Sequence, residues 1–308
     1  MSASALPQPR ATGAGDLREL IARLAREASI EINAHDAGVL PASREFLTPG
    51  QSVYVSHLPQ QTWQATLQAC QQVRAAGFNP VPHLPVRLLP DARTLDTVLA
   101  SFAHQAAVSE ILLISGDYPQ ALGPYSQVAQ VMQTGLLQGN GIVRLSVAGH
   151  PEGHPKVGPG EIRRAQLEKV EIAARAGLQL TLLTQFFFEA EPFLAWNREL
   201  RSLGVSCRIV GGLAGPTRLT ALIKYAMRCG AGPSIRALTA RPAAITRLLG
   251  DHGPESVWRA LASARVAGQS DFGGIHLFCF GGYLRTCQWL RAIGAGRFEL
   301  DDNDGFKV

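Results

Sequence analysis

Short apolar runs alternate along this chain with longer segments whose apolar residues recur at helical spacing. The runs at 29–33, 52–55, 81–84, 110–114, 142–148, 180–185, 207–210 and 274–280 read as strands. Several, such as ILLIS and TLLTQ, are continuously apolar rather than alternating, as expected of strands covered on both faces. Between them, 62–76, 95–107, 162–176 and 216–229 carry the three-to-four residue apolar period of a helix. Gly77, Gly177 and Gly204 stand where helix stop signals are expected.

Strand–helix repetition implies a parallel sheet, and eight units in this length predict an α/β fold, a closed (β/α)8 TIM barrel. The competing architecture is an open doubly wound sheet, which the missing GxGxxG after the first strand disfavours. Residues 1–15 read as a loose tail and 16–28 as an additional amphipathic N-terminal helix. The stretch 231–273 is too long for a simple connection and predicts helices inserted before the last strand. With no linker, 16–308 reads as one barrel domain.

Composition narrows the picture. At 46% hydrophobic and 17% charged residues, the chain can bury a full core, which excludes whole-chain disorder. No stretch approaches the ~18 apolar residues of a membrane helix, and the first fifteen residues do not fit a secretory signal. Five cysteines without a CxxC pair predict neither a disulfide framework nor a zinc site, so a cytoplasmic location is expected. The net charge of +5 is scattered. It suits an anionic small molecule and gives no basic motif for nucleic acid.

In an α/β barrel the chemistry sits at the carboxyl ends of the strands. Those ends carry Glu31, His57, His83, Asp117, His150, His154, Gln185 and His276. Each alone has a bland explanation: an aspartate before Tyr-Pro can be an Asx turn, and a histidine beside proline a structural residue. Polar groups at so many strand ends together favour a site. His150 and His154 would need a helix to share a metal, and the neighbouring prolines oppose one; no metal is expected. Gln185 can offer a paired donor and acceptor to a heterocycle.

At these residues the chain resembles the methylenetetrahydrofolate reductase family. PVPHL (80–84), LLISGDYP (112–119), VAGHPEGHP (147–155), AGLQLTLLTQFFFE (176–189) and GIHLF (274–278) follow the family's motifs in order. The resemblance implies interconversion of 5,10-methylenetetrahydrofolate and 5-methyltetrahydrofolate, with hydride from reduced FAD or from NAD(P)H, in a homo-oligomer. It places Glu31 on the catalytic glutamate, Asp117 on the aspartate near flavin and folate, and Gln185 and Arg285 on folate. His83, Ser115, Gly116, Asp117, His150, His154 and Lys169 fall on flavin-contacting positions or beside them. Ser115 stands where the family has arginine, His150 where it has tyrosine, and Lys169 one turn before the expected lysine, near Ala173. Glu31 becomes the expected general acid for opening the methylene bridge, its carboxyl raised toward neutrality by burial. Asp117 would stabilise the developing cation.

Two other classes compete: a metal-dependent barrel hydrolase using Glu31, His57, His83, Asp117 and His276, and a degenerate barrel serving as a partner subunit. Direction of reaction and choice of nicotinamide are not legible in the residues.

Overall fold

A computed structural model describes residues 14–308 except 117, 155–156, 218–252, 281 and 303. Eight parallel strands close on themselves in chain order: β1 (Ser29–Asn33), β2 (Ser52–Ser56), β3 (Asn79–Pro85), β4 (Glu110–Ile114), β5 (Arg144–Gly149), β6 (Gln179–Phe186), β7 (Arg208–Ala214) and β8 (Gly274–Phe278). The ring is completed by β1 against β8, with Ser29 opposite His276. The fold is the expected (β/α)8 barrel.

Among the described residues the α-helices are α1 (Ala14–Glu27), a single turn α2 (Leu40–Ser43), α3 (Trp63–Ala75), α4 (Ala92–Ala106), α5 (Val128–Met132), α6 (Leu136–Gly139), α7 (Pro159–Arg175), α8 (Ala190–Ser202), α9 (Glu255–Val266) and α10 (Tyr283–Gly294). Their ends follow local chemistry. The side chains of Thr62 and Asp91 accept the backbone N–H of Ala65 and Thr94 at the starts of α3 and α4. Gly77, Gly177 and Gly204 all adopt the positive φ that a helix stop requires. The amphipathic segment at 16–28 forms most of α1, which packs against α9 and α10. Of the insertion expected at 231–273, α9 is seen; the remainder to 252, and all but the first two residues of the helix expected over 216–229, lie outside the described residues, as do residues 1–13 of the tail.

Successive strand residues alternate between two cores. Outward residues such as Ile30, Val53, Leu113 and Leu277 are fully buried under the helices. Inward ones form a separate plug of Tyr54, Val81, Leu112, Leu183 and Val210. A buried aliphatic side chain contributes ~1.5–3 kcal/mol, so the two cores hold the barrel rim to a fixed shape.

Strand ends differ from the sequence reading where glycine allows it. β7 continues past Val210 through Gly211 and Gly212 to Ala214, because Phe187 and Phe193 fill the space outside Gly211. β8 stops at Phe278, two residues early, where its carbonyl accepts the N–H of Gly215. A small antiparallel pair, β9 (Glu299–Leu300) and β10 (Phe306–Lys307), follows α10. No helix among the described residues is long and apolar enough to cross a membrane.

Candidate active site

Strand register brings Glu31 and two histidines together inside the barrel. Glu31, at the centre of β1, points inward with its side chain 20% exposed. Its Oε1 accepts the hydroxyl of Ser56, the last residue of β2, at 3.0 Å. Its Oε2 faces His83 Nε2 of β3 at 3.4 Å and His276 Nε2 of β8 at 3.8 Å. All three of these facing atoms are buried, and none has a hydrogen-bond partner. His276 is wholly buried and anchored on its other side, its Nδ1 sharing a 2.9 Å hydrogen bond with the Ser29 hydroxyl. The Tyr54 ring meets the His276 ring edge-on at 4.7 Å. The Tyr54 hydroxyl is tied in turn to Ser146 at 2.9 Å and to Glu110 at 3.2 Å. A polar floor is thus locked to the barrel interior.

The electrostatics overturn one expectation. Burial works to raise the Glu31 carboxyl, but the facing His83 and His276 rings and the Ser56 hydroxyl outweigh it, and the net direction is down. Glu31 is therefore held ionised and is not a standing acid at neutral pH. His83 is pushed down chiefly by burial, with Glu31 opposing and His276 adding to the shift. It is a neutral ring under the same conditions.

Above this floor, β6 breaks register between Leu183 and Phe186. The bulge swings Phe186 inward, where it meets Phe188, Phe278 and Phe280 edge-on at ring separations of 5.1–5.7 Å. These rings with Ala214 form an aromatic wall on the β6–β8 side. Gln185 sits in the bulge, half-buried, and its Oε1 accepts the Phe186 N–H at 3.1 Å. One half of the expected donor–acceptor pair is therefore engaged by its own backbone, and the amide nitrogen is the end left to a ligand.

Across the mouth, Ser115 and Gly116 leave β4. Gly116 adopts φ +84°, and a Cβ there would lie 2.8 Å from the Tyr118 ring and 3.2 Å from Pro85. Only glycine fits this crossing. Asp117 itself lies outside the described residues.

The third side is the corner between β5 and α7. His150 and His154 meet edge-to-face with centroids 5.6 Å apart, in a turn rather than a helix. Burial, then the charges of His154 and Lys169, push the His150 ring down to about 4. Lys169 on α7 is half-buried, and burial depresses its ammonium despite the neighbouring Glu168. Ala173, one turn on, is buried in the outer core, so a cation at this corner falls to Lys169. Arg285 is an exposed residue in the first turn of α10, directly after β8.

Sequence reading placed Glu31, His83, Ser115 and Gly116 on one rim but passed over Ser29, Ser56 and Tyr54. It gave His276 a role only in the metal-hydrolase alternative. The available signal was period-two alternation: 29, 31, 54, 56, 83 and 276 all occupy inward positions. His57, named for the metal alternative, is instead buried beneath α3, its Nδ1 bonded to Thr66 Oγ1 at 2.8 Å and its ring stacked on Trp63 at 4.2 Å. Among the described residues no group of three or more His, Cys, Asp or Glu side chains is placed to hold a metal ion.

The family model described as Methylenetetrahydrofolate reductase matches residues 57–232, more than half of the chain. The chain belongs to the methylenetetrahydrofolate reductase family. Relatives include 5,10-methylenetetrahydrofolate reductase of Pectobacterium carotovorum subsp. carotovorum, 28% identical over 152 residues, covering 49% of this chain and 48% of that protein. The enzyme of the same name from Escherichia coli is 27% identical over the same shares. Methylenetetrahydrofolate reductase 2 of Saccharomyces cerevisiae is 23% identical over 53% of this chain and 27% of its own. The chain spans about half the length of the bacterial relatives it matches, and less of the yeast one. Among solved structures, an uncharacterised Clostridium thermocellum protein superposes with a TM-score of 0.60 at 11% identity, covering 91% of this chain and 99% of that one. It is described as binding two copies of 5-methyl-5,6,7,8-tetrahydrofolic acid. At that identity the likeness shows the shared fold.

The family implies a flavin. Against that requirement, the β5–α7 corner offers a half-buried ammonium and imidazole nitrogens, a donor set that fits a phosphate-bearing cofactor. The β4 end offers a close-approach glycine and the Ser115 hydroxyl.

Proposed function

We propose that this chain interconverts 5,10-methylenetetrahydrofolate and 5-methyltetrahydrofolate by hydride transfer. Membership of the family supports the reading, and so does the folate named for the structural neighbour. The observation that carries it is the convergence of Glu31, His83 and His276 beneath an aromatic wall at the barrel mouth.

The pterin lies against the Phe186 and Phe278 rings, with the Gln185 amide nitrogen donating to its carbonyl edge. Arg285 serves the anionic glutamate tail, and the family motif assigns Asp117 the stabilisation of the developing cation. His150, His154, Lys169, Ser115 and Gly116 hold FAD or the phosphates of NAD(P)H. The reduced cofactor, when bound, supplies the hydride, and the protein supplies placement and field.

Opening the methylene bridge requires a proton on the departing nitrogen. Because Glu31 is held ionised, it carries that proton for only a fraction of the time near neutral pH. His276, anchored through Nδ1 to the Ser29 hydroxyl, turns its Nε2 toward the Glu31 carboxylate and helps keep it placed for each transfer. In the reverse direction the ionised carboxylate is ready to accept the proton. An acid that titrates below the working pH gives a reduction rate falling tenfold per pH unit as pH rises.

The test is turnover of methylenetetrahydrofolate with NADH and NADPH, alongside calorimetric binding of 5-methyltetrahydrofolate. Glu31→Gln is expected to retain folate binding and lose ~10²–10⁴-fold in turnover. Near-normal turnover by that variant removes Glu31 from the chemistry. Absence of both folate and nicotinamide binding in the wild type refutes the enzyme reading and favours the partner-subunit alternative.

A further inference from the structure

Between β4 and α5, in the segment 115–127, the described residues form no helix or strand. A connection that long without regular structure, placed at a barrel mouth, needs something to hold it. Arg87 supplies much of that hold, while the Gln130 side chain accepts the Ser126 and Gln127 N–H groups at the far end. Arg87 lies in the short turn after β3, and its backbone N–H donates to the Ser115 carbonyl at 3.4 Å while its own carbonyl accepts the Leu122 N–H at 2.8 Å. Its guanidinium then reaches both ends of the segment, donating from Nη1 to the Tyr118 carbonyl at 2.8 Å and from Nε to the Ser126 carbonyl at 3.1 Å. Near the middle, Gly123 lies so close to the backbone of β3's continuation that a Cβ would fall 2.1 Å from the Pro90 carbonyl oxygen. One residue thus stitches this loop to the β3 side of the mouth at four points.

We infer that Arg87 is a positioning residue for the folate-facing rim: it sets the path of the chain through Ser115, Gly116 and Tyr118, and so the approach of the pterin to Glu31. The inference rests on the proposed folate reaction, but its physical core, the clamp, does not. Arg87 touches carbonyl oxygens of the loop rather than substrate. The guanidinium makes two of the four links and the Arg87 backbone the other two, so side-chain replacement tests the guanidinium pair alone; a lysine could cover the same surface without reaching both carbonyls.

The experiment compares wild type, Arg87→Ala and Arg87→Lys. Hydrogen exchange of the peptide spanning 115–127 reads the clamp without any ligand. It is expected to speed up at least tenfold in Arg87→Ala and by less in Arg87→Lys, with exchange in the barrel strands unchanged. In the same variants KM for the folate is expected to rise and turnover to fall, together ~10²-fold in kcat/KM. Unchanged exchange overturns the clamp. Faster exchange with unaltered folate kinetics overturns the positioning role, and a parallel loss of strand protection shows Arg87 to be a general stability residue. If the wild type binds no folate, the functional proposal falls, and the exchange result still decides the clamp.

Discussion

His57 should make the protein acid-sensitive in a way one substitution can reverse. It directly follows β2 and is only 7% exposed. Burial, then the charge of His83, pushes its ring down to about 4 from 6.5, with a backbone contact from Gln61 opposing. A depressed histidine is neutral in the folded state, while the unfolded chain takes up a proton as soon as pH falls below 6.5. Its contribution is therefore complete above pH 6.5 and is lost progressively as pH falls toward 4. Linkage puts the loss at about 2 kcal/mol between pH 7 and pH 5, and at about 3 kcal/mol below both values. Replacing His57 by phenylalanine keeps the stacking on Trp63 and leaves Thr66 Oγ1 with the Gln61 amide, which donates to it at 2.6 Å. The variant loses one buried hydrogen bond, costing about 1 kcal/mol, but no longer titrates. It should be less stable than wild type at pH 7.5 and more stable at pH 5, the two curves crossing near pH 6. Urea unfolding at half-unit pH steps measures the difference and cancels every other titrating group. A gap between the two proteins that stays constant from pH 5 to 8 would refute the assigned burial.

Three further outcomes follow from other parts of the barrel. Gly212→Ala places a methyl 2.4 Å from the Thr184 carbonyl oxygen and 2.8 Å from the Phe278 ring, so a loss of about 1–3 kcal/mol is expected in thermal unfolding; Gly38→Ala, with nothing within 4 Å, is the control and should be near neutral. Tyr54→Phe removes a hydroxyl but leaves the Ser146 hydroxyl donating to Glu110 at 3.1 Å, so it should cost about 1–2 kcal/mol by urea unfolding, and a larger loss would mean the network is more than pairwise. Lys169→Ala should weaken binding of a phosphate-bearing nucleotide about tenfold by calorimetry, whereas alanine at the exposed Arg164 on the same helix should not.

The barrel was legible because its signals are local. Apolar runs covered on both faces, helical spacing between them, and glycines that end helices all act within a few residues, and among the described residues the eight strands and the helices expected at 62–76, 95–107 and 162–176 came out near their expected places. The ordered motifs were equally legible, and they placed Glu31 and His83 on one rim. The state of Glu31 was not. Whether burial or facing charge wins depends on which side chains two distant strands deliver to it, and the pairing of Ser29 with His276 across the closure of the barrel joins residues 247 positions apart. The same holds for Arg87, whose work depends on how a loop folds back onto it, and for Gln185, where a one-residue slip in β6 turned an aromatic ring inward and occupied half of the amide. Periodicity along a strand reports which face a residue takes; only closure of the sheet determines what it meets there.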